Sequence, residues 1–293
     1  MIDLLLCFED EAPLAARIAE AAGVPCERVV RHRFPDGELK LRLPPALPAR
    51  VAILRGLDHP NEKLVELLLS ARTARTLGAG QLVLIAPYLG YMRQDIAFAP
   101  GEVVSQRVVG EFLASLFDAV LTVDPHLHRI SRLSEAVPVA QALALSAAPL
   151  LAELIAARRP AALLLGPDAE AAQWVAAAAQ AHAFDHGVCS KQRHGDREVH
   201  VTLPEMAFAG RQVVLIDDVA SSGHTLAVAA KQLLAAGAAS VDVAVTHALF
   251  ADNALQTVQA AGVGAVWSTD CIAHPSNAVG VAPMLAQALR SLK

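Results

Sequence analysis

Aromatic residues make up only 4% of this 293-residue chain, too few to build stacking platforms for single-stranded nucleic acid. A positive surplus is missing as well. The formal net charge is −5, which argues against a nucleic-acid or anionic-membrane partner. Any polyphosphate binding must then be local, built from a few basic residues, loop amides and divalent metal. Cysteine is scarce and scattered: Cys7, Cys26, Cys189 and Cys271 show no metal-ligand spacing. The chain therefore reads as reduced, intracellular and cytoplasmic, with four ordinary buried thiols. Neither a P-loop lysine motif nor Gly-x-Gly-x-x-Gly occurs, which counts against the common nucleotide cradles. No apolar run qualifies as an export segment or a membrane span. Residues 4–8 lack a basic lead-in and run into Glu9, Asp10 and Glu11. The alanine-rich stretches 168–183 and 143–157 are interrupted by Glu170, Gln173 and Gln180 and by Pro149 and Glu153.

What is present is regular alternation. Apolar, β-branched runs at residues 51–54, 82–86, 120–123, 163–165, 213–216 and 241–245 read as buried strands. Helical patterns at 61–77, 105–116, 148–157, 169–182 and 226–236 separate them. That pattern predicts an α/β protein with mostly parallel sheets flanked by helices. The length suits two domains of ordinary size. The halves read as successive copies of one topology, residues 1–143 and 144–293, with no Gly/Ser-rich linker between them. Pro87, Asp124, Asp168 and Asp217 directly follow apolar runs, and ligands of wound sheets bind beyond the carboxyl ends of strands.

The most informative segment is residues 213–226, a buried-strand pattern that runs into Asp217 and Asp218 and then into a small, hydroxyl-rich turn. A helix pattern follows, so the turn sits at a helix N-terminus, where backbone N–H groups and the helix dipole favour a phosphate. Ser221, Ser222 and Thr225 add hydroxyl donors, with Gly223 and His224 between them. Two adjacent acids suit neighbouring hydroxyls, as on a ribose ring, or a metal carrying substrate oxygens. The plainer reading is a capped turn with no ligand.

This acid-acid, three-spacer, small-Gly-x-Thr pattern resembles the type I phosphoribosyltransferase fold. Six further motifs, in the same order, resemble the ribose-phosphate diphosphokinases: Phe34-Pro35-Asp36-Gly37-Glu38; the 87–95 segment ending Arg93-Gln94-Asp95; Thr122-Val123-Asp124-Pro125-His126; Gly166-Pro167-Asp168; Lys191-Gln192-Arg193; and Thr246-His247-Ala248-Leu249-Phe250. The resemblance covers nearly the whole chain and is closest to the shorter, archaeal-like members. It implies two phosphoribosyltransferase-like domains, with ATP on the first and ribose 5-phosphate on the second, and a last helix, about 282–292, packing back on the first domain. The implied reaction is transfer of the pyrophosphoryl group of ATP to the anomeric hydroxyl of ribose 5-phosphate, giving phosphoribosyl pyrophosphate and AMP.

The same resemblance implies the residue roles. Lys191 and Arg193 are the catalytic cations, on a mobile segment. Phe34, Asp36, Glu38, Arg93, Gln94 and Asp95 bind ATP. Asp217, Asp218, Ser221, Ser222, Gly223, His224 and Thr225 bind ribose 5-phosphate. His126 and Asp168 hold Mg2+, although a hard ion prefers oxygen to imidazole. His128 makes a His-x-His that invites a transition metal, a reading ranked lower because no further Cys or His completes a tetrahedral set. The Phe34 hairpin is expected to reach a neighbouring subunit's ATP site, which makes a homodimer the smallest working unit.

Three departures from the family pattern stand out. His224 replaces a usual glycine, so a positive φ there would be forbidden or strained. Ser221 stands where bacterial members carry aspartate, and Ile96 where a basic residue usually follows. The chain also stops at Lys293, short of a tail that helps form regulatory sites in many bacterial enzymes; weak or absent activation by inorganic phosphate is the expectation. Two rivals remain open at this point. A phosphoribosyltransferase would leave the Phe34 and Arg93 motifs idle, and ATP binding discriminates it. A non-catalytic regulatory paralogue would be marked by co-purification with a related active chain.

Overall fold

In the computed structural model, residues 2–194 and 198–292 are described, with the side chains of 191–194 and 198–200 outside that description. The chain divides into two compact units: Met1–Leu145 together with Val281–Lys293, and Ser146–Gly280.

The first unit comprises β1 (Leu4–Cys7), α1 (Ala12–Ala22), β2 (Cys26–Arg28), β3 (Val30–Arg33), β4 (Leu39–Arg42), β5 (Arg50–Leu54), α2 (Pro60–Thr76), β6 (Gln81–Ala86), α3 (Ser105–Ala114), β7 (Ala119–Val123), α4 (Leu133–Ala136) and β8 (Gln141–Leu145). Six of these strands form one sheet in the order β2-β1-β5-β6-β7-β8, parallel throughout. Strands covered on both faces need continuous apolar runs rather than alternation. β7 is buried at every position, and β5 and β6 at all but their first residue. β3 and β4 leave the sheet as an antiparallel hairpin.

The second unit comprises α5 (Ala148–Arg158), β9 (Leu163–Gly166), α6 (Ala172–His182), β10 (His186–Val188), β11 (Ser190–His194), β12 (Glu198–Thr202), β13 (Gln212–Ala220), α7 (His224–Ala235), β14 (Ser240–Ala248), α8 (Ala254–Ala260), β15 (Val263–Thr269) and β16 (Asn277–Val279). Its parallel sheet has the order β10-β9-β13-β14-β15-β16, again with a hairpin, β11–β12, set apart. The two units thus repeat one topology. The last helix, α9 (Ala282–Ser291), packs on α1 in the first unit, burying Ala282, Leu285, Ala286 and Leu289. Among the described residues no helix is long and apolar enough to cross a membrane.

Several local expectations are corrected. Asp217 and Asp218 do not follow β13 but lie within it, opposite β14 with Asp217 level with Val245, because the ladder continues to Ala220. α7 opens at His224, two residues earlier than its apolar pattern. The 169–182 helix begins as a 3-10 turn, Ala169–Ala171, before α6. The backbone of residues 190–194, for which no strand is expected from the sequence, forms β11, paired with β12 from Ser190↔Thr202 to His194↔Glu198.

Candidate active site

In the second unit the carboxyl ends of β9 and β13 bring three acids together. Asp168 caps the 3-10 turn after β9, its Oδ1 accepting from the Glu170 N–H at 3.0 Å. Gly166 lets that turn fold close: a Cβ there would meet Ala171 Cβ and Val188 Cγ1 at 2.9 Å. Asp217 Oδ1 accepts from the Asp218 N–H at 3.0 Å. Burial, then the negative charges of Asp218 and Asp168, push the Asp217 carboxyl well above the usual carboxylate range. A concentration of carboxylate oxygens under mutual repulsion is a donor set suited to a hard divalent cation.

The turn after β13 supplies the opposite polarity. Gly223 adopts φ +72 as N-cap of α7, and the first intrahelical bond runs from Ala227 N to Gly223 O at 2.9 Å. The opening N–H groups of this 12-residue helix have no carbonyl of their own helix to meet, so they and the dipole give this end an affinity for anions. His224 is corrected here: the left-handed conformation belongs to Gly223, and His224 is not among the positive-φ residues. Its Cβ therefore costs no backbone strain, and its side chain stands exposed at the helix start beside Ser222, also exposed, and the half-buried Ser221 and Thr225.

The loop after β14 backs this turn. Phe250 N donates to Ala220 O at 2.8 Å and Ala251 N to Ser221 O at 3.1 Å. The Phe250 ring lies 5.1 Å from that of His274. Burial pulls the His274 imidazole down from its ordinary value, and Ser276 contacts its Nδ1 through Oγ at 2.7 Å. Lys191 and Arg193 have their backbones in β11 of the hairpin that follows β10; their side chains lie outside the described part of the structure.

The first unit carries the other candidates. Phe34, Asp36 and Glu38 form the tip of the β3–β4 hairpin, closed by Phe34 N to Glu38 O at 2.8 Å and Glu38 N to Asp36 Oδ1 at 3.1 Å, with Gly37 at φ +95. The Phe34 ring is 39% exposed, as a ring available for stacking must be, and packs edge-on against His32. An open groove of about 580 Å3 runs between this hairpin and α2, lined by Arg33, Gly37, Glu38, Asn61, Val65 and Leu69 among others.

Arg93, Gln94 and Asp95 lie on the loop after β6. Gln94 Nε2 donates to Ile96 O at 3.0 Å, and Asp95 accepts from Arg129 at 2.6 Å. Arg129 thereby ties this loop to the one after β7, which carries Asp124 at φ +36 and His126. The His126 and His128 rings meet edge to face through their Nε2 atoms.

A buried charge network missed in the sequence anchors the hairpin. Arg55, directly after β5 and 1% exposed, donates to Asp10 at 2.7 Å and to Glu11 at 3.1 Å, and forms an ion pair with the fully buried Glu66 at 2.5 Å. Arg31 on β3 also pairs with Glu66, and Arg33 with Glu62. The signal was a charge at the end of an apolar strand run, the same that marked Asp124 and Asp168.

Matches to known proteins agree with this layout. Residues 4–116 match the model for the N-terminal domain of ribose phosphate pyrophosphokinase, and residues 135–263 that of the phosphoribosyl transferase domain. The ribose-phosphate pyrophosphokinase of Methanopyrus kandleri is 33% identical over 292 residues, covering 99% of each chain. The chain belongs to the ribose-phosphate pyrophosphokinase family. Its Halobacterium salinarum relative is 35% identical over 289 residues, covering 98% of this chain and all of that one. Among solved structures, the phosphoribosylpyrophosphate synthetase of Mycobacterium smegmatis shares the fold, with a TM-score of 0.86 over 99% of this chain and 98% of that one at 23% identity. The relatives matched at about one-third identity agree with the archaeal-like resemblance expected from Ser221.

Proposed function

We propose that this chain is a ribose-phosphate pyrophosphokinase, which transfers the pyrophosphoryl group of ATP to the anomeric hydroxyl of ribose 5-phosphate and releases AMP. The observation that carries the reading is the full-length kinship at about one-third identity, joined to a site in which paired acids lead into a helix N-terminus. A phosphosugar has both features to satisfy: vicinal hydroxyls that donate to Asp217 and Asp218, and a 5-phosphate that accepts from the α7 amides and from Ser221, Ser222 and Thr225. Gly223 lets the backbone approach that phosphate, and His224 adds an imidazole beside it.

ATP is assigned to the first unit, with Phe34 stacking on the base, Asp36 and Glu38 accepting from its amino group, and Arg93, Gln94 and Asp95 at the phosphates. Asp95 already has Arg129 as an ion-pair partner, so its role is to order the loop that presents Arg93. Lys191 and Arg193 are the cations expected to meet the charge that spreads as the bond to the leaving AMP breaks.

Mg2+ fits the acid cluster, where burial first and then the charges of Asp218 and Asp168 raise the Asp217 carboxyl; Asp168 would hold it. His126, a nitrogen donor engaged with His128, suits a hard ion less well and stands as the second ligand on family grounds. When bound, the ion neutralises phosphate oxygens and polarises the phosphorus for attack.

An exposed Phe34 and the exposed Val65, Leu68 and Leu69 of α2 support a homodimer in which the hairpin tip serves the neighbouring copy. The deciding experiment incubates the protein with ATP, ribose 5-phosphate and Mg2+ and separates the products. AMP and phosphoribosyl pyrophosphate in equal amounts are expected. ATP binding without AMP formation would instead indicate a regulatory paralogue.

A further inference from the structure

We propose that Cys7 and Cys26 form a reversible disulfide site that staples the edge strand of the first sheet to its neighbour. The sequence predicts ordinary buried thiols; Cys7 is buried as expected, whereas Cys26 is exposed. Cys26 is exposed on β2, while Cys7 is 1% exposed at the end of β1, and their Sγ atoms lie 3.7 Å apart. The strand register explains the approach. Leu5 pairs with Cys26 and Cys7 with Arg28, so Cys7 stands one diagonal step from Cys26, on the same face of the sheet as Leu5. Diagonal neighbours in a sheet come within reach of each other's side chains, although their Cα atoms are farther apart than those of directly opposed residues.

Closing the remaining gap calls for a small shift of one strand. β2 can supply it, because it is a three-residue edge strand exposed at every position. It is held to β1 by few ladder contacts, among them Leu5 N to Pro25 O at 2.9 Å and Val29 N to Cys7 O at 2.8 Å. A disulfide tolerates only a narrow range of Cβ geometry, and a short exposed edge strand is where that range can be met without straining the core. Cys189 and Cys271 are buried in the second unit and provide internal controls.

The chemistry orders the two steps. Burial and the adjoining Cys26 push the Cys7 thiol up to about 12, which keeps it protonated and unreactive toward an external oxidant. Cys26 is also raised by burial, with Arg28 acting in the opposite direction, but it alone is accessible. A low-molecular-weight disulfide R–S–S–R is therefore attacked by the Cys26 thiolate, forming the mixed disulfide and releasing one R–S−. Cys7 then gives up its proton to solvent, and its thiolate attacks Cys26 Sγ, releasing the second R–S−. Two protein thiols are oxidised and one R–S–S–R is reduced to two thiols. Low thiolate fractions make the exchange slow, so the site follows the standing redox poise rather than brief pulses of oxidant. The link closes a loop that contains α1, which restricts the unfolded chain and raises the unfolding temperature.

The test incubates the folded protein with a graded series of oxidised glutathione, traps thiols by alkylation, and maps the digest by mass spectrometry alongside thermal melting. The expected result is a peptide containing Cys7 joined to one containing Cys26, together with a raised melting temperature, both reversed by dithiothreitol. Cys26→Ser should abolish both effects, and Cys7→Ala should stop at glutathione on Cys26. Two results would overturn the proposal: wild type halting at that mixed disulfide with Cys7 still alkylatable, or a cross-link that forms only in denaturant.

Discussion

Arg55 and Glu66 meet at 2.5 Å with 1% and 0% of their side chains exposed, so the end of β5 and the middle of α2 are joined by an ion pair shut off from water. Arg31 on β3 shares the same carboxylate, which makes Glu66 the common anchor of the body of the first unit and of its hairpin. Removing one partner of a buried pair leaves the other charge uncompensated, at a cost of about 3–5 kcal/mol. Glu66→Ala should lower unfolding free energy by about that amount in urea titrations. It should also raise KM for ATP, because the strand leading to Phe34 loses its tether. An unchanged denaturation midpoint would show that Arg55 is satisfied by Asp10 and Glu11 alone.

The same network gives a pH dependence. Three carboxylates, Asp10, Glu11 and Glu66, share two guanidiniums, those of Arg31 and Arg55. Glu11 carries the excess: burial raises it to about 7, against the opposing pull of Arg55 and the Gly56 N–H. A carboxyl whose folded pKa lies above its unfolded value binds more protons in the native state, so stability falls as pH rises from about 4.5 to 7. Glu11→Gln should flatten that decline. Melting temperatures of the two proteins between pH 4.5 and pH 7.5 measure the difference, and parallel curves would refute the assignment.

Gly223 permits a third prediction, because the phosphate turn needs its φ of +72 and its missing side chain together. A Cβ would lie 2.8 Å from Val258 Cγ2 and 3.0 Å from Ala254 O. Gly223→Ala should therefore destabilise by about 1–3 kcal/mol and displace the α7 amides. A rise in KM for ribose 5-phosphate, with KM for ATP unchanged, is the expected kinetic signature. His224→Gly is the contrasting variant: His224 is already helical, so glycine should cost only about 1 kcal/mol and leave the turn in place.

These residues also show what the sequence could and could not reveal. Apolar runs such as 51–54 and 120–123 were legible as strands because burial on both faces leaves no alternation to confuse them. The acids of β13 were legible as a pair, yet not as members of the strand, since a ladder against β14 does not register in local composition. β11 is not legible as a strand because its run of polar residues carries no apolar pattern, and its pairing with β12 is a matter of backbone register. The contacts of Arg55 span 44 and 45 residues to Glu11 and Asp10, and Cys7 and Cys26 are 19 apart. Only the fold brings such partners together, so no spacing rule could have found them.

The catalytic assignment is the most consequential of the expectations. Lys191 and Arg193 have their backbones in β11, level with Val201 and Val199 of β12. Lys191→Ala should reduce kcat by roughly 10²–10³-fold, as does loss of one donor preorganised for a transition state. KM for both substrates should change little, because the interaction develops mainly as the bond to AMP breaks. Arg193→Ala should behave alike, and the double variant should lose less than the product of the two single losses if both side chains serve one charge. Steady-state rates of AMP release across the three variants test the scheme. Undiminished kcat in Lys191→Ala would move catalysis elsewhere in the site.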